Sequence, residues 1–405
     1  MAATQLVSWG SLYYSFSLFV TPMERELGWS KTDLNGAVSL GLLVSGLCSL
    51  PIGSWIDRHG GRLVMTMGSL GGAALLFAWA KVQHLATFYV IWVLMGVVLA
   101  AVLYEPACAV LSRAYGANLR KAILMMAVIG GFASTVFIPL TAALIEKLGW
   151  RAALEGLALC NLIFCAGIHL YFLAENRARP APAQNVVESP PLELRGSPLS
   201  NAAREPAFWG LLVCFVAYNS VFSAVTFHLI PLLVERNVDP ATIVFCVALI
   251  GPMQVLGRLL LFLFGAKTTA NVLGSFNLVV LPIAVMILIV RPSDIYSLGA
   301  FAVLYGSSNG LMTIIRGMAV PDLLGTIGYG AINGALAFPT NIARAAAPIA
   351  MAALWTLSHH YGPVLWSIFA IACVSTIAFW FAVVTAPRRP RRLRRSGLPP
   401  NIGEG

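Results

Sequence analysis

Twelve runs of predominantly apolar residues follow one another along this chain with short polar turns between them. Each is long enough to cross the roughly 30 Å hydrocarbon core of a bilayer as a helix. Their limits fall near 4–24, 33–56, 62–80, 85–113, 121–147, 151–174, 206–234, 240–264, 271–290, 295–319, 328–355 and 363–386. In lipid a spanning segment must satisfy every backbone N–H and C=O within itself or within a closed barrel, and runs of this length fit only helices. The sequence therefore specifies an all-α integral membrane protein with 12 transmembrane helices. Charged residues are only 10% of the chain, too few to solvate a water-facing surface.

The net charge of +10 is no nucleic-acid signature, because six arginines sit in the tail "RRPRRLRR" and most other basic residues are spread over short loops. All seven cysteines (48, 108, 160, 165, 214, 246 and 373) fall within apolar runs without metal-ligand or redox spacing, so neither a metal nor a cofactor is expected. The first run begins almost at Met1 without a basic leader, which reads as a true span rather than a cleaved signal.

Between the sixth and seventh runs lies a Pro-, Ala- and charge-rich stretch, "AENRARPAPAQNVVESPPLELRGSPLSNAAREP", with no apolar period. It divides the chain into an N-terminal six-helix half (1–175), a linker (176–205), a C-terminal six-helix half (206–386) and a basic tail (387–405). The halves read as pseudo-symmetric repeats: Pro22 and Pro231, and Pro139 and Pro348, are each separated by 209 residues, an offset that maps span onto span. Sixteen basic residues fall on the side of the linker and tail against seven on the other. That asymmetry places both termini in the cytoplasm of a multi-pass cell (inner or plasma) membrane protein, the tail close to anionic lipid headgroups.

The turn after the second run reads "PIGSWIDRHGGRLVM". Gly53, Asp57, Arg58, Gly60 and Arg62 match G-x-x-x-D-R-x-G-[RK]-[RK], departing at Gly61. This resembles the loop signature of the major facilitator superfamily, on the loop where that family carries it. The resemblance implies the family's 12-helix fold in two six-helix halves, a monomer, and a carrier that exposes a central site to one side of the membrane at a time. It also implies that Asp57 latches the halves on the cytoplasmic side, with Arg113 at the end of span four as partner. The repeat-related position of Asp57 is Ala266, so the latch would be one-sided. "ELGWSKTDL", "SRAYGANLRKAILMMAVIGGFASTVFIPL", "LGWRAAL" and "GPMQVLGRLLL" resemble, more narrowly, the monocarboxylate-porter and oxalate/formate-exchanger branch. Arg258 matches that branch's substrate-binding arginine, while Gln254 stands where those porters carry a proton-binding aspartate.

A charge within a span costs several kcal/mol unless it is paired, so each one marks a functional position. Four stand out: Glu105, Arg258, Arg316 and Arg344. Glu105 reads as a proton-coupling site or as the structural partner of an arginine. Arg258 reads as a substrate ligand or a residue snorkelling to the headgroups, Arg344 as a substrate or gating residue, and Arg316 as structural or a gate partner of Asp322. Tyr14 of span one and Tyr218 and Asn219 of span seven are expected to line the central path. His228 either titrates in coupling or is held by hydrogen bonds. Three arginines against one glutamate favour a small anionic solute. The reading is a secondary active transporter, not an enzyme, for a small organic anion such as a monocarboxylate, with protons as candidate coupling ion. The alternative is a proton-driven exporter of drug-like compounds.

Overall fold

A computed structural model describes residues 1–115, 118–175, 197–264, 268–291 and 294–387. Most of the linker, Ala266, and the tail beyond 387 lie outside these. The described residues form helices and no strand. Nine helical segments are long and apolar enough to cross a membrane. One of these, Leu119–Tyr171, reverses at Gly149 (φ 81, ψ 162) and makes two spans. A first span over 2–27 and an eleventh, Tyr329–Ser358, complete the twelve. The linker's end holds a short helix, Pro198–Arg204.

The repeat is visible in local geometry. Gly28 (φ 70) and Asn237 (φ 55) both take the left-handed conformation just beyond the first span of their half, 209 residues apart. Two residues later Ser30 and Asp239 each accept a hydrogen bond from the backbone N–H three residues on, the arrangement that satisfies a helix's open N–H groups. Glu26 and its equivalent Glu235 each receive an indole N–H, from Trp150 at 2.5 Å and Trp355 at 2.8 Å, and so tie the first span of a half to its fifth and sixth.

Prolines within the spans decide which neighbouring side chains are needed. A proline cannot donate to the carbonyl four residues earlier, and in lipid that carbonyl has no water to turn to. Four such carbonyls are filled from adjacent helices. Gln5 Nε2 donates to Val102 O (2.7 Å) below Pro106, and Thr376 Oγ1 to Leu278 O (2.6 Å) below Pro282. Tyr329 OH donates to Gly317 O (3.1 Å) below Pro321, and Ser223 Oγ to Arg344 O (2.6 Å) below Pro348. Two of these bonds, at Val102 and Arg344, fix the backbone next to intramembrane charges.

The N-terminal half has its own apolar core around Phe19, Trp79, Phe88 and Trp92. The core of the C-terminal half extends across the seam to Ile56, Cys108, Leu111, Ile123 and Met126 of spans two, four and five. Large apolar side chains such as Phe276, Tyr296, Ile349 and Val384 remain exposed around the bundle, the surface a lipid belt would cover.

Candidate functional site

The two halves meet most closely on the face that carries Asp57. Gly53 of span two lies so near span eleven that a Cβ there would come within 2.0 Å of the Gly330 carbonyl oxygen. At Gly334 it would come within 2.4 Å of Ser49 O. Glycine is required at this crossing because backbone meets backbone. Asp57 closes it: its carboxylate accepts from Gly330 N (3.0 Å) and Ala331 N (2.8 Å), the unsatisfied N–H groups at the start of the helix Tyr329–Ser358. Arg113, expected as the carboxylate's partner, instead donates to the carbonyl oxygens of Ile56 (2.7 Å) and of Asp57 itself, where the second span ends. Arg58 is exposed and Arg62 half-buried, and neither bonds to the other half among the described residues.

Two ion pairs join the halves at the same level or just above. Arg120 at the start of span five pairs with Asp322 (3.3 Å), whose carboxylate also accepts from Ala270 N (3.0 Å). Glu105 of span four pairs with Arg316 of span ten at 3.1 Å. Arg316 therefore takes Glu105 and Asp322 takes Arg120, so of the two readings of Arg316 a direct pair with Asp322 is not formed. The Glu105–Arg316 pair is a charge contact without an aligned hydrogen bond: two guanidinium nitrogens, Nε and Nη2, are buried with no hydrogen-bond partner.

Further from this face, a second set of contacts joins the halves around Arg344 and Arg258. Tyr13 and Phe222 are repeat-equivalent, 209 residues apart. The guanidinium of Arg344 lies near both, its carbon 5.9 Å from the Tyr13 ring and 5.5 Å from the Phe222 ring. Arg344 Nη2 donates to the Tyr13 hydroxyl at 2.9 Å, a bond between the halves. Arg258 does not snorkel to a face. At 8% exposure it donates through Nε to Gly310 O (3.1 Å) and through Nη2 to Thr313 Oγ1 (3.4 Å). Its guanidinium lies on Gly131 of the other half, where a Cβ would fall 2.2 Å from Nη1. Tyr14 feels the charge of both Arg258 and Arg344, and Tyr104 that of Arg258. No carboxylate pairs with either arginine among the described residues.

A π-helical turn over Trp9–Tyr14, which includes the Arg344 partner Tyr13, builds an aromatic wall. Five residues per hydrogen-bonded step place residues i and i+5 on one face, so Trp9 reaches both Tyr13 (centroids 5.1 Å) and Tyr14 (5.8 Å). Tyr104, next to Glu105, adds a fourth ring at 5.3 Å from Trp9.

Two expected lining residues, Tyr218 and Asn219, turn to their own half, and His228 takes the hydrogen-bonded alternative. Tyr218 is 4% exposed and turns into its own half, donating to Asn309 Oδ1 (2.6 Å). The half-buried Asn219 donates back to Phe215 O on its own helix. His228 has both ring nitrogens engaged, Nε2 with Pro348 O (2.9 Å) and Nδ1 with the Tyr361 hydroxyl (3.1 Å). A carbonyl only accepts, so Nε2 carries the proton and Nδ1 accepts from Tyr361, the arrangement of a structural histidine. Sequence reasoning missed Tyr104 and Phe222. The 209-residue offset from Tyr13 would have found Phe222; nothing in the sequence sets Tyr104 apart from its neighbour Glu105.

A family model described as the Major Facilitator Superfamily matches residues 1–348. A curated protein of Escherichia coli (strain K12), a probable L-galactonate transporter, is 25% identical over 215 residues, 51% of this chain. That match spans about half, 47%, of the relative's length. Among solved structures, FucP in its outward conformation superposes with a TM-score of 0.73 at 14% identity, over 95% of this chain and 98% of FucP. A second structure of this E. coli fucose:proton symporter gives 0.69 at 15% identity, over 95% and 98% of the two chains. The human organic anion transporter MFSD10 gives 0.65 at 17%, over 94% and 95%.

Proposed function

The chain belongs to the major facilitator superfamily of membrane transporters, and we propose that it carries a small organic carboxylate bound at Arg344 and Arg258 between the halves. The observation that carries this reading is that both arginines sit inside the membrane span without a carboxylate partner among the described residues. An unpaired cation at that depth is costly, and an anionic ligand offsets the cost with the short, charge-assisted bonds a guanidinium makes to a carboxylate. The E. coli relative is a probable transporter of L-galactonate, a carboxylate, and supports the same class. The Asp57 face is the cytoplasmic one in this reading, from the excess of basic residues there.

Glu105 is the proton site of this reading. Its charge holds Arg316 across the seam, so protonation on Glu105 releases a contact that must break when the Asp57 face opens. Glu105→Gln should shift the carrier toward the Asp57-open state by about 30-fold, the effect of removing one partner of a buried charge pair. It should also make uptake insensitive to an imposed pH gradient, measured in proteoliposomes. Unchanged gradient dependence would remove Glu105 from coupling.

Uptake by proteoliposomes tests the function itself. The reading expects saturable accumulation of a carboxylate and none of its uncharged amide. Equal accumulation of both, or of organic cations, would contradict it.

A further inference from the structure

The site is chemically divided between the halves. The C-terminal half supplies Arg258 and Arg344, whose repeat-equivalents in the other half are Ser49 and Thr135. The N-terminal half supplies the wall of Trp9, Tyr13, Tyr14 and Tyr104. The equivalents of Trp9 and Tyr104 are Tyr218, which turns into its own half, and Thr313, which is bonded to Arg258. A bound molecule therefore meets cations from one half of the chain and aromatic faces from the other.

The wall is apolar in its faces but not in its edges. The indole N–H of Trp9 is buried and has no hydrogen-bond partner among the described residues. The hydroxyls of Tyr14 and Tyr104 also bond to nothing among the described residues, and both side chains are only half-buried. The two hydroxyls are accessible, so a ligand that displaces water from them must replace those hydrogen bonds and so brings several acceptors and donors. The ring faces between them ask for C–H surface to lie flat against.

Building on the carboxylate reading above, we infer that the carried anion is a polyhydroxylated carboxylate of the sugar-acid type. Its carboxylate faces Arg344 and Arg258, and its hydroxyl-bearing carbon chain lies along Trp9, Tyr14 and Tyr104. A short acid such as lactate brings a single hydroxyl to the two tyrosine hydroxyls. An aromatic or aliphatic acid covers the ring faces but leaves both hydroxyls unpaired.

The test is equilibrium binding to the purified full-length protein. The probes are a set of six-carbon aldonates, hexanoate (the same chain without hydroxyls), benzoate, lactate and neutral galactose. At least one aldonate should bind tenfold or more tighter than hexanoate, benzoate and lactate, in line with the penalty for unmet hydrogen bonds. Tyr14→Phe and Tyr104→Phe keep the rings and remove the hydroxyls. Each should weaken aldonate binding about tenfold and hexanoate binding less than twofold. No aldonate binding, hexanoate or benzoate binding as tightly as the best aldonate, or equal losses for both ligands in the two variants, would overturn the inference. If all acids bound alike but still required Arg344, the wall inference would fall and the carboxylate reading would stand. Galactose binding that ignored Arg344→Ala would instead sink the carboxylate reading.

Discussion

Replacing Gly53 or Gly330 with leucine should stop transport by holding the Asp57 face apart. Every contact that closes this face depends on the approach of spans two and eleven, and a side chain at Gly53 would collide with the Gly330 carbonyl rather than with a movable side chain. Overpacking a soft core costs about 1–3 kcal/mol. Here neither backbone can yield without losing the Asp57 bonds to Gly330 N and Ala331 N. The closed state should therefore lose more than about a hundredfold in population, which halts a cycle that must visit it. Distance measurements between spin labels on the two halves would show the Asp57 ends apart in Gly53→Leu and together in the unmodified protein. Gly167→Ala, at a helical position with open space around it, is the control and should transport normally. Labels that stayed together in Gly53→Leu would show that the crossing is not what limits closure.

Arg344→Ala should reduce carboxylate uptake about a hundredfold while leaving the protein folded. The guanidinium is placed by three contacts: the Tyr13 hydroxyl, the nearby rings of Tyr13 and Phe222, and the Ser223 hydroxyl that anchors the Arg344 carbonyl freed by Pro348. Losing the cation removes a bond to a charged ligand in a site shielded from water, which is where such bonds count most. It removes no apolar packing of comparable weight, because the side chain is half-buried. Arg344→Lys keeps the charge but not the planar fork, and should recover only part of the loss. Uptake in proteoliposomes, paired with a thermal melt of each variant, separates a binding defect from a folding one. Full activity in Arg344→Ala would move the site elsewhere.

Much of this architecture is legible in the sequence because the bilayer imposes a simple length rule. The twelve runs fall within a few residues of the helices, and the 209-residue offset reappears in the left-handed residues Gly28 and Asn237 and in the paired glutamates Glu26 and Glu235. What the sequence hides is helical phase and backbone chemistry. Tyr218 lies on a span expected to line the path, yet the rotation of that helix turns it toward Asn309. The acceptor-hungry groups at Asp57 are backbone N–H groups at a helix start, which no residue type announces. The π-helical turn at Trp9–Tyr14 adds one residue to a helical step and brings Tyr14 onto the face of Trp9, a change of register that no 3.6-residue period reveals. Glu105 and Arg316 could be placed at a similar depth from the repeat, but only the packing of span four on span ten makes them a pair.

The central claim is that Arg344 holds the carboxylate of the transported molecule, and a thermodynamic cycle tests it directly. Binding of one acid and of its uncharged amide is measured on the unmodified protein and on Arg344→Ala. If the guanidinium and the carboxylate meet, removing the ligand's charge should cost about a hundredfold on the unmodified protein and less than about threefold on Arg344→Ala. The same loss on both proteins would mean that Arg344 and the ligand's charge act independently, and would contradict the account.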